Sequence, residues 1–189
     1  MKSRTTKHIE WEQVISLVNN LKEDNNRLHL LITIQSMLGL RISDVLSLRW
    51  KDFDTTELTI TEGKTRKSRR MIVNESLRNA MKEEFERKVL NKKGDLIFLN
   101  KHKSGSISIS YVNRELKKAF EKYGIECEQV STHVFRKSFS MKILQDNDFS
   151  DKAIFTISRM LNHSSIAITM KYLLLDQRES DNIYNSLTL

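Results

Sequence analysis

The residues able to do chemistry gather late in the chain, between Ser131 and Leu175, where two histidines, an arginine and a tyrosine recur at related spacings. His133 and Arg136 are three residues apart, so on a helix they are neighbours on one face. That helix is predicted from a cap at Ser131 or Thr132 and from the apolar anchors Val134, Phe135, Phe139, Ile143 and Leu144. A second helix is predicted from about Ser150, burying Ile154, Ile157 and Leu161 and ending in the polar turn Asn162-His163-Ser164. Ser164 or Ser165 then caps a third, short helix whose exposed far turn carries Tyr172, nine residues after His163. An imidazole, a guanidinium and a phenol gathered in this way make a site for handling a phosphate.

The elements that must position this group come earlier. Trp11, Val14, Ile15, Val18 and Leu21 recur at helical spacing, and Leu28 to Leu38 is apolar nearly all round, which predicts a central helix. Gly39 is placed to end it in a left-handed cap. Ser43 can cap the next short helix, leaving Arg41 in the preceding turn. Taken alone, Arg41 reads as a surface charge, and only its place between Leu40 and Ile42 argues for a structural or catalytic task. Asp44 is either an ordinary first-turn acid or the partner of a catalytic side chain.

From Asp52 to Asn74 the period shifts towards two, with Leu58 and Ile60 in one strand and Met71 and Val73 in another. The tip between them carries Lys64, Arg66, Lys67, Arg69 and Arg70. It reads as a solvated basic loop, a localisation-type cluster, or a hairpin laid on a phosphate backbone. Asn74 is expected to cap a charged helix to about Val89, and Ser110 another that stops at Gly124. The fold expected is one α+β domain, mainly α-helical, with a small antiparallel β-sheet.

Composition narrows the function. A net charge of +8 points to a polyanionic partner, nucleic acid before an anionic membrane surface. No apolar run is long enough to span a bilayer, so no membrane role is expected. The single cysteine, Cys127, excludes an internal disulfide and implies a reducing, cytoplasmic setting. Proline is absent and glycine numbers five, which removes the glycine-rich phosphate loops. His133 and His163 as metal ligands lack completing cysteines or clustered carboxylates, so no metal and no cofactor is expected. Tyr111, Tyr123 and Tyr184 follow no capped histidine turn, and His8, His29 and His102 have no partner pattern.

Arg41 within GLRISD, Lys64 on the basic hairpin, His133-x-x-Arg136 and the segment LNHSSIAITMKY together resemble the tyrosine recombinases, or phage-integrase family. The resemblance runs from Glu10 to Leu175, with residues 1–9 a frayed lead-in and 176–189 a tail. It implies catalytic roles for Arg41, Lys64, His133, Arg136 and His163, a nucleophilic Tyr172, and Asp44 as support for one histidine. DNA contacts are expected from Arg66, Lys67, Arg69, Arg70 and Lys137. The implied activity is cleavage and rejoining of double-stranded DNA through a 3′-phosphotyrosyl link. The expected assembly is a homotetramer on DNA, monomeric when free, in the bacterial nucleoid. Three positions depart from the family pattern: Ile72 where proline is common, Lys137 where histidine often follows the second arginine, and Asn162 where glycine often precedes the second histidine. Members usually carry an N-terminal DNA-clamping domain, and few residues precede the matching part here, as in an excised catalytic domain or a shortened integrase. Two rivals stand beside this reading: a non-catalytic DNA-binding regulator, which could lose Tyr172 or Lys64, and a type IB topoisomerase, which shares the chemistry. The apolar stripe of Ile183, Tyr184 and Leu187 either packs on a neighbouring protomer or folds back on its own domain.

Overall fold

Helix α2 (Asn26–Leu38) is apolar on nearly every side because nearly every side is covered. It packs against α1 (Trp11–Asp24), α3 (Ile42–Ser47), α4 (Glu75–Arg87), α5 (Ile109–Lys122) and α6 (His133–Gln145) in this computed structural model, which describes residues 7–61, 68–87, 92–173, 175 and 184–186. Helices α7 (Asp151–Met160) and α8 (Ile166–Leu173) complete the order. Among the described residues the sheet is the antiparallel pair β1 (Glu57–Thr61) and β2 (Ser68–Ile72), in a register that sets Leu58 opposite Met71. Leu58 and Ile60 turn inward from β1, while Ile72 stands exposed at the strand's end.

The core has two parts. One joins α1 to α5 with Val134 and Phe135 of α6; the other gathers Phe139, Met141 and Leu144 with Ile157, Leu161 and Leu173. Helix α6 belongs to both, and nine of its residues are buried, including Arg136, Lys137, Ser138 and Ser140. A helix buried on polar positions too cannot be recognised by an apolar stripe, and its polar groups must find partners inside.

Local signals hold in most places. Gly39 ends α2 at φ 59°, Asn74 accepts from the Leu77 amide at 2.9 Å, and Ser150 caps α7 through the Ala153 amide at 3.4 Å. Gly124 also has positive φ, closing α5. Two caps fall elsewhere. Arg41, not Ser43, is the N-cap of α3, and Ser108, not Ser110, caps α5 by accepting from Tyr111 N at 3.1 Å. At α5 two serines within one turn can each serve, and tertiary packing of the first apolar residue decides, whereas the α3 cap makes no side-chain hydrogen bond. The lead-in also differs from a frayed end at its last residues. Ile9 is buried, and the Ser138 hydroxyl donates to its carbonyl at 2.6 Å while accepting from its amide at 3.1 Å.

Gly39 does more than end a helix. A Cβ there would lie 2.5 Å from Phe139 Cδ1 and Cε1. Gly39→Ala should therefore destabilise by roughly 2–4 kcal/mol, from the left-handed backbone and the overpacking together. Thermal unfolding checks this, with a melting temperature lower by roughly 5–12 °C expected.

Candidate active site

Arg136 organises the site. It is 2% exposed, and its Nη1 donates to the Gly39 carbonyl at 2.5 Å while Nη2 donates to the Leu161 carbonyl at 2.7 Å. Helix ends leave carbonyls without intrahelical partners, and the guanidinium fork satisfies one from the end of α2 and one from the end of α7. Its plane is thereby fixed where three helices meet.

Arg41 reaches the same place from the turn between α2 and α3. Its positive charge acts on His133 and on Tyr172, as does that of Arg136. His133 opens α6 with an accessible edge. Desolvation of its ring, reinforced by Arg136, Lys137 and Arg41, holds its pKa below the usual histidine value. It is therefore neutral at pH 7, the form that accepts a proton.

His163 lies in the turn after α7, where Asn162 adopts φ 54°. Asparagine tolerates this left-handed backbone, so the exchange of the family's glycine leaves the turn intact. His163 Nδ1 is 2.8 Å from Thr169 Oγ1, and its ring stands edge-on to Tyr172 with centroids 5.5 Å apart. Thr169 is fully buried. Nothing in the spacing of the sequence singled it out, since a threonine on a short helix is ordinarily just part of the surface or core. On the DNA-cleaving activity that the family resemblance implies, Thr169→Val should slow cleavage roughly three- to tenfold, the worth of one hydrogen bond. A single-turnover cleavage assay checks it, with DNA affinity expected to stay constant.

Tyr172 departs from expectation. Its spacing predicts an exposed turn, but α8 folds back against α6 and α7 and buries its hydroxyl. The oxygen takes no hydrogen bond of good geometry among the described residues. Burial pushes its pKa up to about 12, against the pull of Arg136 and Arg41 towards the phenolate. Lys137, expected on the DNA face, is 3% exposed, with Nζ 4.7 Å from the centre of the Tyr172 ring. Burial lowers its pKa to about 8.

Asp44 is buried in the first turn of α3 and accepts from the Ser43 hydroxyl at 3.3 Å. Lys64, Arg66 and Lys67 lie outside the described residues. Arg70 of β2 is paired with Glu57 across the hairpin. Arg69 lines a separate groove of about 570 Å³ between β2 and α7, floored by Met37, Leu38, Phe139 and Met160. Of the other tyrosines, Tyr123 donates to Asp24 and Tyr184 is exposed. Among the described residues, no three His, Cys, Asp or Glu side chains cluster to hold a metal ion, and no helix is long and apolar enough to cross a membrane.

The structure therefore brings Arg41, His133, Arg136, His163 and Tyr172 together and adds Lys137 and Thr169. Comparison with known proteins bears on the family and the fold. A probable integrase/recombinase of Bacillus subtilis, YoeC, is 32% identical over 167 residues, covering 88% of this chain and 87% of that protein. A probable integrase/recombinase of Acholeplasma phage L2 is 28% identical over 172 residues, and there the match covers 87% of this chain but 55% of the relative. In fold, the chain is similar to the XerA recombinase, with a TM-score of 0.72 at 19% identity over 100% of this chain and 67% of that one. The XerH site-specific recombinase, solved on its difH substrate before cleavage, gives a TM-score of 0.69 at 23% identity, covering 88% of this chain and 50% of that one. The sequence profile of the phage integrase family matches residues 7–179. The chain belongs to that family and is a tyrosine recombinase catalytic domain.

Proposed function

We propose that this domain cleaves and rejoins double-stranded DNA at specific sites, with Tyr172 attacking a phosphodiester to leave a 3′-phosphotyrosyl link and a free 5′-hydroxyl. The observation that carries the reading is a buried phenol within the field of two arginines and edge-on to a histidine. Buried phenols with a raised pKa attack only if charge and a proton acceptor are supplied together. Neutral His133 is the acceptor. Arg41 and Arg136 stabilise the charge that grows on the non-bridging oxygens, and His163 adds a hydrogen bond to them. Lys64 protonates the leaving 5′-oxygen. Arg66, Lys67, Arg69 and Arg70 hold the duplex by its phosphates, which fixes position rather than sequence.

The covalent link preserves the phosphoester, so rejoining by another strand's 5′-hydroxyl needs neither ATP nor metal. Exchange of four strands then calls for a homotetramer on DNA, acting in the bacterial nucleoid. The DNA-bound state of the similar XerH protein supports a duplex as the partner.

Trapping on a nicked suicide duplex in EDTA tests this. A covalent adduct whose peptide map places DNA on Tyr172 is expected. Salt-sensitive binding with no adduct would turn the reading towards a regulator that occupies sites without cutting them.

A further inference from the structure

Among the described residues, Lys137 is a buried cation of the site that contacts an aromatic face, where the buried Arg136 takes two carbonyls. Lys137 is 3% exposed, and among the described residues it makes no ion pair with a carboxylate. A buried ammonium without a counter-ion is costly, so a position that keeps one needs a compensating contact. That contact is the Tyr172 ring, 4.7 Å from Nζ to centroid. The edge of His163 closes on the same ring at 5.5 Å, so the phenol is held between a cation on its face and an imidazole at its side.

Resting on the reading of Tyr172 as the nucleophile, we propose that Lys137 is its positioning residue: the ammonium holds the phenol ring in place and stabilises the negative charge the ring acquires as its oxygen attacks phosphorus. In that step the Tyr172 oxygen–phosphorus bond forms, the bond from phosphorus to the 5′-oxygen breaks, and the phenolic proton passes to His133. Lys137 neither gains nor loses a proton. An ammonium over an aromatic face is attracted to the ring's negative quadrupole, and the attraction grows as the ring becomes phenolate. Stacked on the face, Nζ is not hydrogen-bonded to the hydroxyl, which separates its role from that of a base.

The titratable groups near Lys137 are His133 on its own helix, which feels its charge, and Tyr172 of α8 under Nζ, with His163 beside that ring. Burial has already brought the ammonium's ionisation down to about 8. The contribution of Lys137 is therefore full below that pH and fades as pH rises through it.

The test compares adduct formation at subsaturating nicked duplex from pH 6.5 to 9.5 for wild type, Lys137→Met and Lys137→Arg, with DNA affinity measured alongside. Lys137→Met, close in length and apolar, should be about tenfold slower at low pH, the size of a desolvated cation–π contact, with unchanged affinity. The ratio of wild type to Lys137→Met should fall towards one above pH 8, while Lys137→Arg keeps its advantage across the range. A pH-independent ratio, or a rate loss matched by an equal loss of DNA affinity, would overturn the proposal and make Lys137 a packing or phosphate-binding residue. If Lys137→Met does not fold, the shape of the Lys137→Arg profile decides alone. A wild type that forms no adduct through Tyr172 sinks the nucleophile reading and this inference with it; a Tyr172 adduct formed equally by Lys137→Met sinks only the inference.

Discussion

Tyr172→Phe should form no covalent adduct with nicked DNA, yet melt at a higher temperature than the wild type. The two halves have different physical causes. In the proposed mechanism, removing the hydroxyl removes the attacking atom, and no neighbouring group can replace it. Tyr111, Tyr123 and Tyr184 take no part in the cluster of Arg41, Arg136 and His163. The gain in stability follows from burial. The hydroxyl sits inside without a well-formed hydrogen bond among the described residues; the pull of Arg136 on it is too poorly aligned to offset in full a burial cost of about 1–3 kcal/mol relative to an apolar side chain of the same shape. Its loss should raise the melting temperature by roughly 2–8 °C. The difference should also depend on pH. The unfolded phenol ionises near 10 and the folded one near 12, so between those values the unfolded chain holds fewer protons. Wild-type stability therefore falls as pH rises from 10 to 12, and Tyr172→Phe lacks this component. A variant that loses cleavage and stability together would show that the hydroxyl is a structural anchor instead.

Arg136→Met should fail on both counts. Its guanidinium donates to Gly39 O and Leu161 O, and truncation to a thioether leaves both carbonyls buried without those partners. Each orphaned carbonyl costs about 1–3 kcal/mol, which lowers the melting temperature by roughly 4–20 °C in a chain of this size. Cleavage should fall by at least ~10²–10³-fold, the usual effect of deleting one preorganised donor to a developing oxyanion. Arg136→Lys separates the two effects. It keeps the charge but cannot span two carbonyls with one fork, so it should recover part of the rate and little of the stability. Thermal melting and single-turnover cleavage on the same preparations read the two losses independently. If Arg136→Lys restored stability in full, the clasp between α2 and α7 would not depend on the guanidinium geometry.

Both predictions draw on contacts that the sequence does not announce. What the sequence by itself determined is local. Gly39 ends α2, Ser150 starts α7 and Asn74 starts α4, because each signal acts through backbone groups within a turn of itself. The alternation of Leu58 and Ile60 placed a strand, and the apolar run from Leu28 to Leu38 placed the central helix. The order and type of Arg41, His133, Arg136, His163 and Tyr172 were likewise legible, because spacing survives folding and only certain side chains suit a phosphate. Tertiary structure decided the rest. Arg136 finds Gly39 across 97 residues, and α6 is buried on too many sides for any periodicity to say which polar side chains turn inward. Burial of Tyr172 depends on α8 folding back over α6, and the place of Lys137 under its ring depends on that same docking. Residue types select the chemistry, but the pKa of a phenol or an ammonium is set by what surrounds it, and those surroundings come from chain segments far apart in sequence.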